Sequence, residues 1–229
     1  MCARYTPPRW DEMHALHRAL PPENLPVGSV FPRGKGAFIR RVPAPEAQTE
    51  VERELVVGQW ALIPSFAKTA KLVYSTNNAR WETVPTAASF RQPWARDQRC
   101  IIPVQEFFEP NWETGRNRWW GFRRADKQPF GLAGLWNTWL DRESGELVES
   151  YTMLTINADA HALMARMHKP DPKRGPHEQD KRSVVVVERS DWDRWLVGTK
   201  PDAVDLLKLA PAEVFDHGPE EPEPMGSLF

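Results

Sequence analysis

The chain has 229 residues, 41% of them hydrophobic, and 30 basic side chains against 31 acidic ones. That is apolar enough for a packed domain and too apolar for a disordered chain, yet no apolar run reaches the roughly 18 residues that suggest a spanning helix. The balanced charge neither supports nor excludes nucleic-acid binding, which needs only a local basic face, and two cysteines exclude a disulfide framework.

In chain order, residues 11–20 read as a short helix closed by Pro21-Pro22. A Pro/Gly-rich stretch leads to a strand over 37–42, and one or two further strands fall within 50–63. Polar loop residues run to Asn78, followed by a helical segment over 86–94. Residues 100–102, 106–109, 119–124, 131–140 and 150–156 read as successive strands separated by turn signals. Residues 158–167 have helical composition and lead into a Pro- and charge-rich loop over 169–181. Residues 184–187 are a β-branched buried strand, and Ser190 with Asp193 resembles a capping box opening a helix. Many antiparallel strands and few helices predict an α+β fold, a single domain over 1–217 built as a curved sheet or open barrel with flanking helices. The Pro- and Glu-rich residues 218–229 read as a disordered tail. The chain start, MCARYTPPRW, lacks a secretory h-region, and two cysteines suit a reducing cytoplasm.

Chemistry starts at Cys2. The small side chain after Met1 favours removal of the methionine, which would leave Cys2 with an α-amine (pKa roughly 8) beside a thiol (roughly 8.5). Such a 1,2-aminothiol condenses with aldehydes: the amine forms an imine and the thiol closes a five-membered thiazolidine. Position alone favours the plainer reading of Cys2 as an ordinary residue in an ordered arm. Eleven tryptophans could stack on unpaired bases, though most tryptophans in such a domain are core.

The rest of the chain changes the weighting. Met1-Cys2-Ala3-Arg4-Tyr5, Trp60-Ala61-Leu62-Ile63-Pro64-Ser65-Phe66 and Asn78-Ala79-Arg80-Trp81-Glu82-Thr83 are followed in order by Arg99-Cys100-Ile101-Ile102-Pro103. Then come Phe107-Phe108-Glu109, Ala133-Gly134-Leu135-Trp136, a strand from Tyr151 to Asn157, and a segment running into His168. The series resembles the SRAP family, the SOS-response-associated peptidases or abasic-site processing proteins, over about residues 1–197. The resemblance implies covalent bonding of Cys2 to abasic sites in single-stranded DNA during the DNA damage response. It implies catalytic roles for Cys2, Asn78, Glu109 and His168, and DNA-binding roles for Arg4, Arg80, Trp60 and Pro32. "Peptidase" reflects removal of the chain's own Met1, ascribed to the same site; lyase chemistry would be strand cleavage by β-elimination. It further implies a monomer in the cytoplasm, nucleoid-associated when bound to DNA, without a membrane.

Those roles fit the side chains. A carboxyl group such as Glu109 can move the protons of imine formation, and its place after Phe107-Phe108 suggests a raised pKa. The Asn78 amide can hold the α-amine or sulfur without titrating. His168 can give a proton to the sugar ring oxygen, with His161 and His177 as fallbacks. The family usually has Gly where Ala3 stands, Trp where Pro110 stands, and a His-Asp-Arg-Met-Pro run where this chain has His168, a 13-residue insertion (169–181) and Arg182-Ser183. Pro110 removes a backbone donor beside Glu109 and predicts interrupted strand pairing there. Two other readings remain open: an N-terminal-nucleophile hydrolase akin to glutamine amidotransferases, and a non-catalytic single-stranded DNA-binding module. No zinc spacing, P-loop or dinucleotide fingerprint occurs, so no metal or cofactor is expected.

Overall fold

A computed structural model describes residues 2–9, 11–13, 28–42 and 52–220. Five long strands make a barrel: β2 (Lys35–Arg41), β3 (Arg53–Trp60), β5 (Arg99–Val104), β8 (Phe130–Leu140) and β9 (Leu147–Asn157). β9 bonds to both β8 and β3, so the barrel is closed, where the sequence suggested a curved sheet or open barrel. β5 is buried at every position because one face lines the closed barrel and the other lies under the helix Trp192–Val197, whose Trp195 Nε1 donates to the Cys100 carbonyl. Two short strands, β4 (Asn78–Arg80) and β10 (Arg182–Val184), add to β9.

A second, antiparallel sheet has the order β1 (Arg4–Thr6), β6 (Glu106–Asn111), β7 (Arg118–Arg124) and β11 (Phe215–Pro219). Only Gln105 separates β5 from β6, so the chain passes directly from the barrel into this sheet. The join is packed with aromatics. Phe107 stacks on Phe122 at 5.0 Å, and the Tyr5 and Tyr151 hydroxyls share a hydrogen bond between the sheet and the barrel. Gly36 faces that bond, where a Cβ would lie 2.1 Å from the Tyr151 hydroxyl and 2.2 Å from that of Tyr5. A side chain at this position would therefore force the two sheets apart.

The expected single α+β fold is present, and the differences from the sequence reading have local causes. Residues 158–167 form no α-helix, only a 3-10 turn at Met164–Arg166. His161 Nδ1 accepts the Leu163 and Met164 amides, and Met167 then pairs with Asn111, which draws the chain into a bridge with β6. The helix predicted over 86–94 shrinks to Arg91–Ala95. Ser190 caps nothing: the helix Trp192–Val197 follows a 3-10 turn and has no side-chain cap. A complete capping box instead opens the next helix, Lys200–Asp205, through Thr199 and Asp202. Pro110 leaves β6 intact, because the ladder continues to Asn111. Gly218 and Pro219 belong to β11 rather than to a tail, their backbone paired with Gly121 and Trp120. Of the helix expected over 11–20, the described residues Asp11, Glu12 and Met13 are helical; its remainder and 221–229 lie outside the described residues. Among the described residues, no helix is long and apolar enough to cross a membrane.

Candidate functional site

The site forms where β1 meets β6. Arg4 lies opposite Phe108 and Tyr5 opposite Phe107, so continuing that register carries Cys2 to the Glu109–Pro110 step. Cys2 is completely buried, with its Sγ donating to the Arg4 carbonyl at 3.4 Å. Its own carbonyl accepts from Asn78 Nδ2 at 2.7 Å and from Asn77 Nδ2 at 3.3 Å. Asn78 Nδ2 thus grips the Cys2 backbone. Its Oδ1 is buried and has no hydrogen-bond partner among the described residues, leaving one acceptor in the site. Burial first, then the charge of Glu109, pushes the Cys2 thiol far above its ordinary pKa, so the sulfur rests protonated.

Glu109 is 1% exposed and its Oε2 lies 2.8 Å from His168 Nε2. Burial would raise its pKa, as the sequence suggested, but the amino-terminal positive charge and His168 overcome that and lower it. Glu109 therefore rests as a carboxylate and must take up a proton before it can donate one. A carboxylate accepts only, so His168 Nε2 is the donor in their bond. His168 takes the left-handed region, at φ 64°, and its amide donates to the Pro110 carbonyl at 2.6 Å. An extended residue there would aim the ring elsewhere. The two fallback histidines are not in this cluster: His161 caps the 3-10 turn and lies 2.8 Å from the Ala210 carbonyl, and His177 is exposed on the insertion.

The four residues assigned to DNA divide. Arg4 lies 3.7 Å over the Phe108 ring and pairs with Glu220 at 2.6 Å. Arg80, half-exposed at the edge of β4, pairs with Asp180 at 2.7 Å. A phosphate at either arginine would compete with the carboxylate already paired there. Trp60 is fully buried, edge-on to Tyr5 at 5.1 Å, with Nε1 donating to the Asn77 carbonyl. It has no face for a base; it supports the asparagine pair that holds Cys2. Pro32 is exposed on the turn before β2, beside exposed Phe31. Arg33 ties this turn to the 64–76 loop through the Leu72 carbonyl, and that loop exposes Phe66, Val73 and Tyr74.

Sequence reasoning missed Asn77, those loop aromatics, and Lys181, whose buried ammonium contacts the His168 carbonyl. The Asn77-Asn78 doublet was visible, but nothing in it distinguished a second amide aimed at Cys2. A lysine re-entering a strand after a loop carries no sequence signal.

The family model described as SOS response associated peptidase (SRAP) matches residues 1–219. The chain belongs to this family. Bacillus subtilis "Abasic site processing protein YobE" is 34% identical over 158 residues, 66% of this chain and 63% of that protein. The Bacillus subtilis protein of the same description, YoqW, is 30% identical over 165 residues, 69% of this chain and 64% of that one. The chain thus spans just under two thirds of these relatives' length. HMCES of Xenopus tropicalis, also described as an abasic site processing protein, is 26% identical over 47% of this chain and 38% of its own. A crystal structure of a Bordetella bronchiseptica protein superposes with a TM-score of 0.82 at 34% identity, covering 96% of this chain and all of that one. The SRAP fold and the Cys2–Glu109–His168 cluster therefore occur together in one chain.

Proposed function

We propose that this SRAP protein processes abasic sites, binding single-stranded DNA and closing a thiazolidine on the lesion's aldehyde through Cys2 once Met1 is gone. The observation that carries the reading is one buried cluster: the Cys2 thiol, the Asn78 amide and the Glu109–His168 pair. The groups suit the steps in turn. The Glu109 carboxylate takes a proton from the α-ammonium, and the uncovered amine attacks the aldehyde carbon. Glu109 then returns that proton to the carbinolamine hydroxyl, which leaves as water and forms the protonated imine. The neutral thiol adds across the imine: sulfur bonds to carbon and its proton passes to nitrogen. The net change is loss of one water. His168 gives a proton to the sugar ring oxygen as its bond to C1 breaks, and the C1 hydroxyl gives up its own proton to become the open aldehyde, so the ring opens with no net proton change. Asn78 Oδ1 offers the amine an acceptor without competing for the proton.

For the DNA, Arg4 and Arg80 exchange their carboxylate partners for phosphates, and the exposed aromatics beside Pro32 offer stacking surfaces for unpaired bases. The test is incubation with a single-stranded abasic oligonucleotide followed by denaturing electrophoresis. Wild type should give a heat-stable shifted band. Cys2→Ala keeps an amine and should give only an imine trapped by borohydride; a full-strength, heat-stable band from this variant rules out the thiazolidine.

A further inference from the structure

The insertion 169–181 begins immediately after His168, yet His168 still meets Glu109. Something must hold the histidine while the following chain loops away. The buried last residue of the insertion, Lys181, does this from beneath. Its Nζ donates to the Met167 and His168 carbonyls, each at 2.6 Å. Its backbone is pinned as firmly: the Lys181 amide donates to Asp159 Oδ1 at 2.7 Å, and its carbonyl accepts from Ala158 at 2.7 Å. Asp159 Oδ2 also accepts the Asp180 amide, so one carboxylate collects both amides as the chain re-enters β10.

We propose that Lys181 is a positioning residue for His168, its ammonium clamping the Met167 and His168 carbonyls so that the imidazole stays on Glu109. This role rests on the function proposed above, which gives His168 its place in the reaction. Two features favour positioning over a purely structural contact. The clamp acts on the carbonyl of the residue whose φ is 64°, a conformation uncommon outside glycine that a hold on the neighbouring carbonyls helps to fix. It also joins both ends of the insertion at one point, so 169–180 can vary without moving the ring. An apolar chain of similar length could occupy the buried space, so loss of the charge need not destroy the fold.

The test combines ring and ammonium NMR with crosslinking rates. In wild type, the Lys181 ammonium protons should exchange slowly and the His168 Nε2–H should be visible against Glu109. Lys181→Met should lose the Nε2–H resonance and slow crosslinking by the same factor as His168→Ala. The double variant should be no slower than His168→Ala alone, because both changes remove one group's action. A Lys181 ammonium exchanging as fast as surface lysines overturns the proposal, even if the variant does not fold. So does an unchanged Nε2–H in Lys181→Met, or multiplicative slowing in the double variant. If wild type forms no adduct, the functional reading falls while the two NMR measurements still decide the clamp.

Discussion

The two halves of the site are held in different ways. The Cys2 half rests on regular structure: β1 pairs with β6, β4 pairs with β9, and two asparagine amides grip one carbonyl over the buried Trp60. The His168 half rests on a loop residue with positive φ, one amide bond to Pro110 and a buried lysine. Cys2, the proposed nucleophile, thus sits directly before a paired strand and is held by two side-chain amides. His168, the proposed proton donor, sits on a loop whose two ends, Met167–His168 and Lys181, are tied together. The division suits the chemistry, since bond formation needs fixed atoms and a proton can be supplied from a less rigid support.

The largest effect should come from the rigid half. Any extra residue before Cys2 blocks the amine and should abolish the adduct, as read on a denaturing gel; a wild-type yield would show that the α-amine does not react. Next, Glu109→Gln should slow crosslinking by ~10²–10⁴-fold with DNA affinity nearly intact. His168→Ala should slow it less, and on a substrate whose aldehyde is already open its defect should shrink while that of Glu109→Gln persists. If the His168 defect is the same on both substrates, the histidine is not assisting ring opening and the contrast between the halves is drawn wrongly. If Glu109→Gln reacts at the wild-type rate, Glu106, whose neighbour is Arg123, becomes the next candidate.

Smaller effects should appear in binding. Arg4→Ala and Arg80→Ala should each weaken single-stranded DNA binding and lower the log–log salt slope by ~0.7 for every phosphate the variant no longer neutralises. Glu220→Gln should act oppositely, tightening binding up to about fivefold, the worth of a partly exposed ion pair. Unchanged salt slopes in both arginine variants would mean that neither meets a phosphate. The smallest effect is on stability. The folded Glu109 pKa lies below its unfolded value of roughly 4.3, so its ionisation stabilises the fold above that pH and ceases to as pH falls through the folded value. Glu109→Gln should melt a few degrees lower at pH 7, on the order expected for removal of one interaction, and the gap should begin to narrow below about pH 4 and close as pH falls through the folded value. A gap that widens on acidification would contradict the ionised state.

Much of this was legible in the sequence, unevenly between the halves. The long barrel strands and β6 and β7 announced themselves through β-branched and aromatic runs bounded by turn residues, and Glu109 lay on such a strand. Strands as short as β1 and β4 have too few residues to show alternation; their order comes from partners far away in the chain. The 158–167 stretch has good helix formers, but His161 takes the amides that would start the helix, and Met167 is drawn to Asn111. Trp60 illustrates a different gap. Its place in a family motif suggested the DNA surface, and only packing against Tyr5 shows it as a buried support. Asn77 and Lys181 act on backbone carbonyls, contacts for which sequence has no signature.

At the centre stands one proposed reaction, in which Cys2, as the first residue once Met1 is removed, bonds to an abasic aldehyde with loss of one water. Intact-mass spectrometry of the protein after incubation with an abasic single-stranded oligonucleotide tests it directly. One new species is expected, equal to the chain without Met1 plus the oligonucleotide minus one water, surviving heat and absent from Cys2→Ala. An adduct on a chain that still carries Met1, or no adduct from a chain without it, would contradict this chemistry.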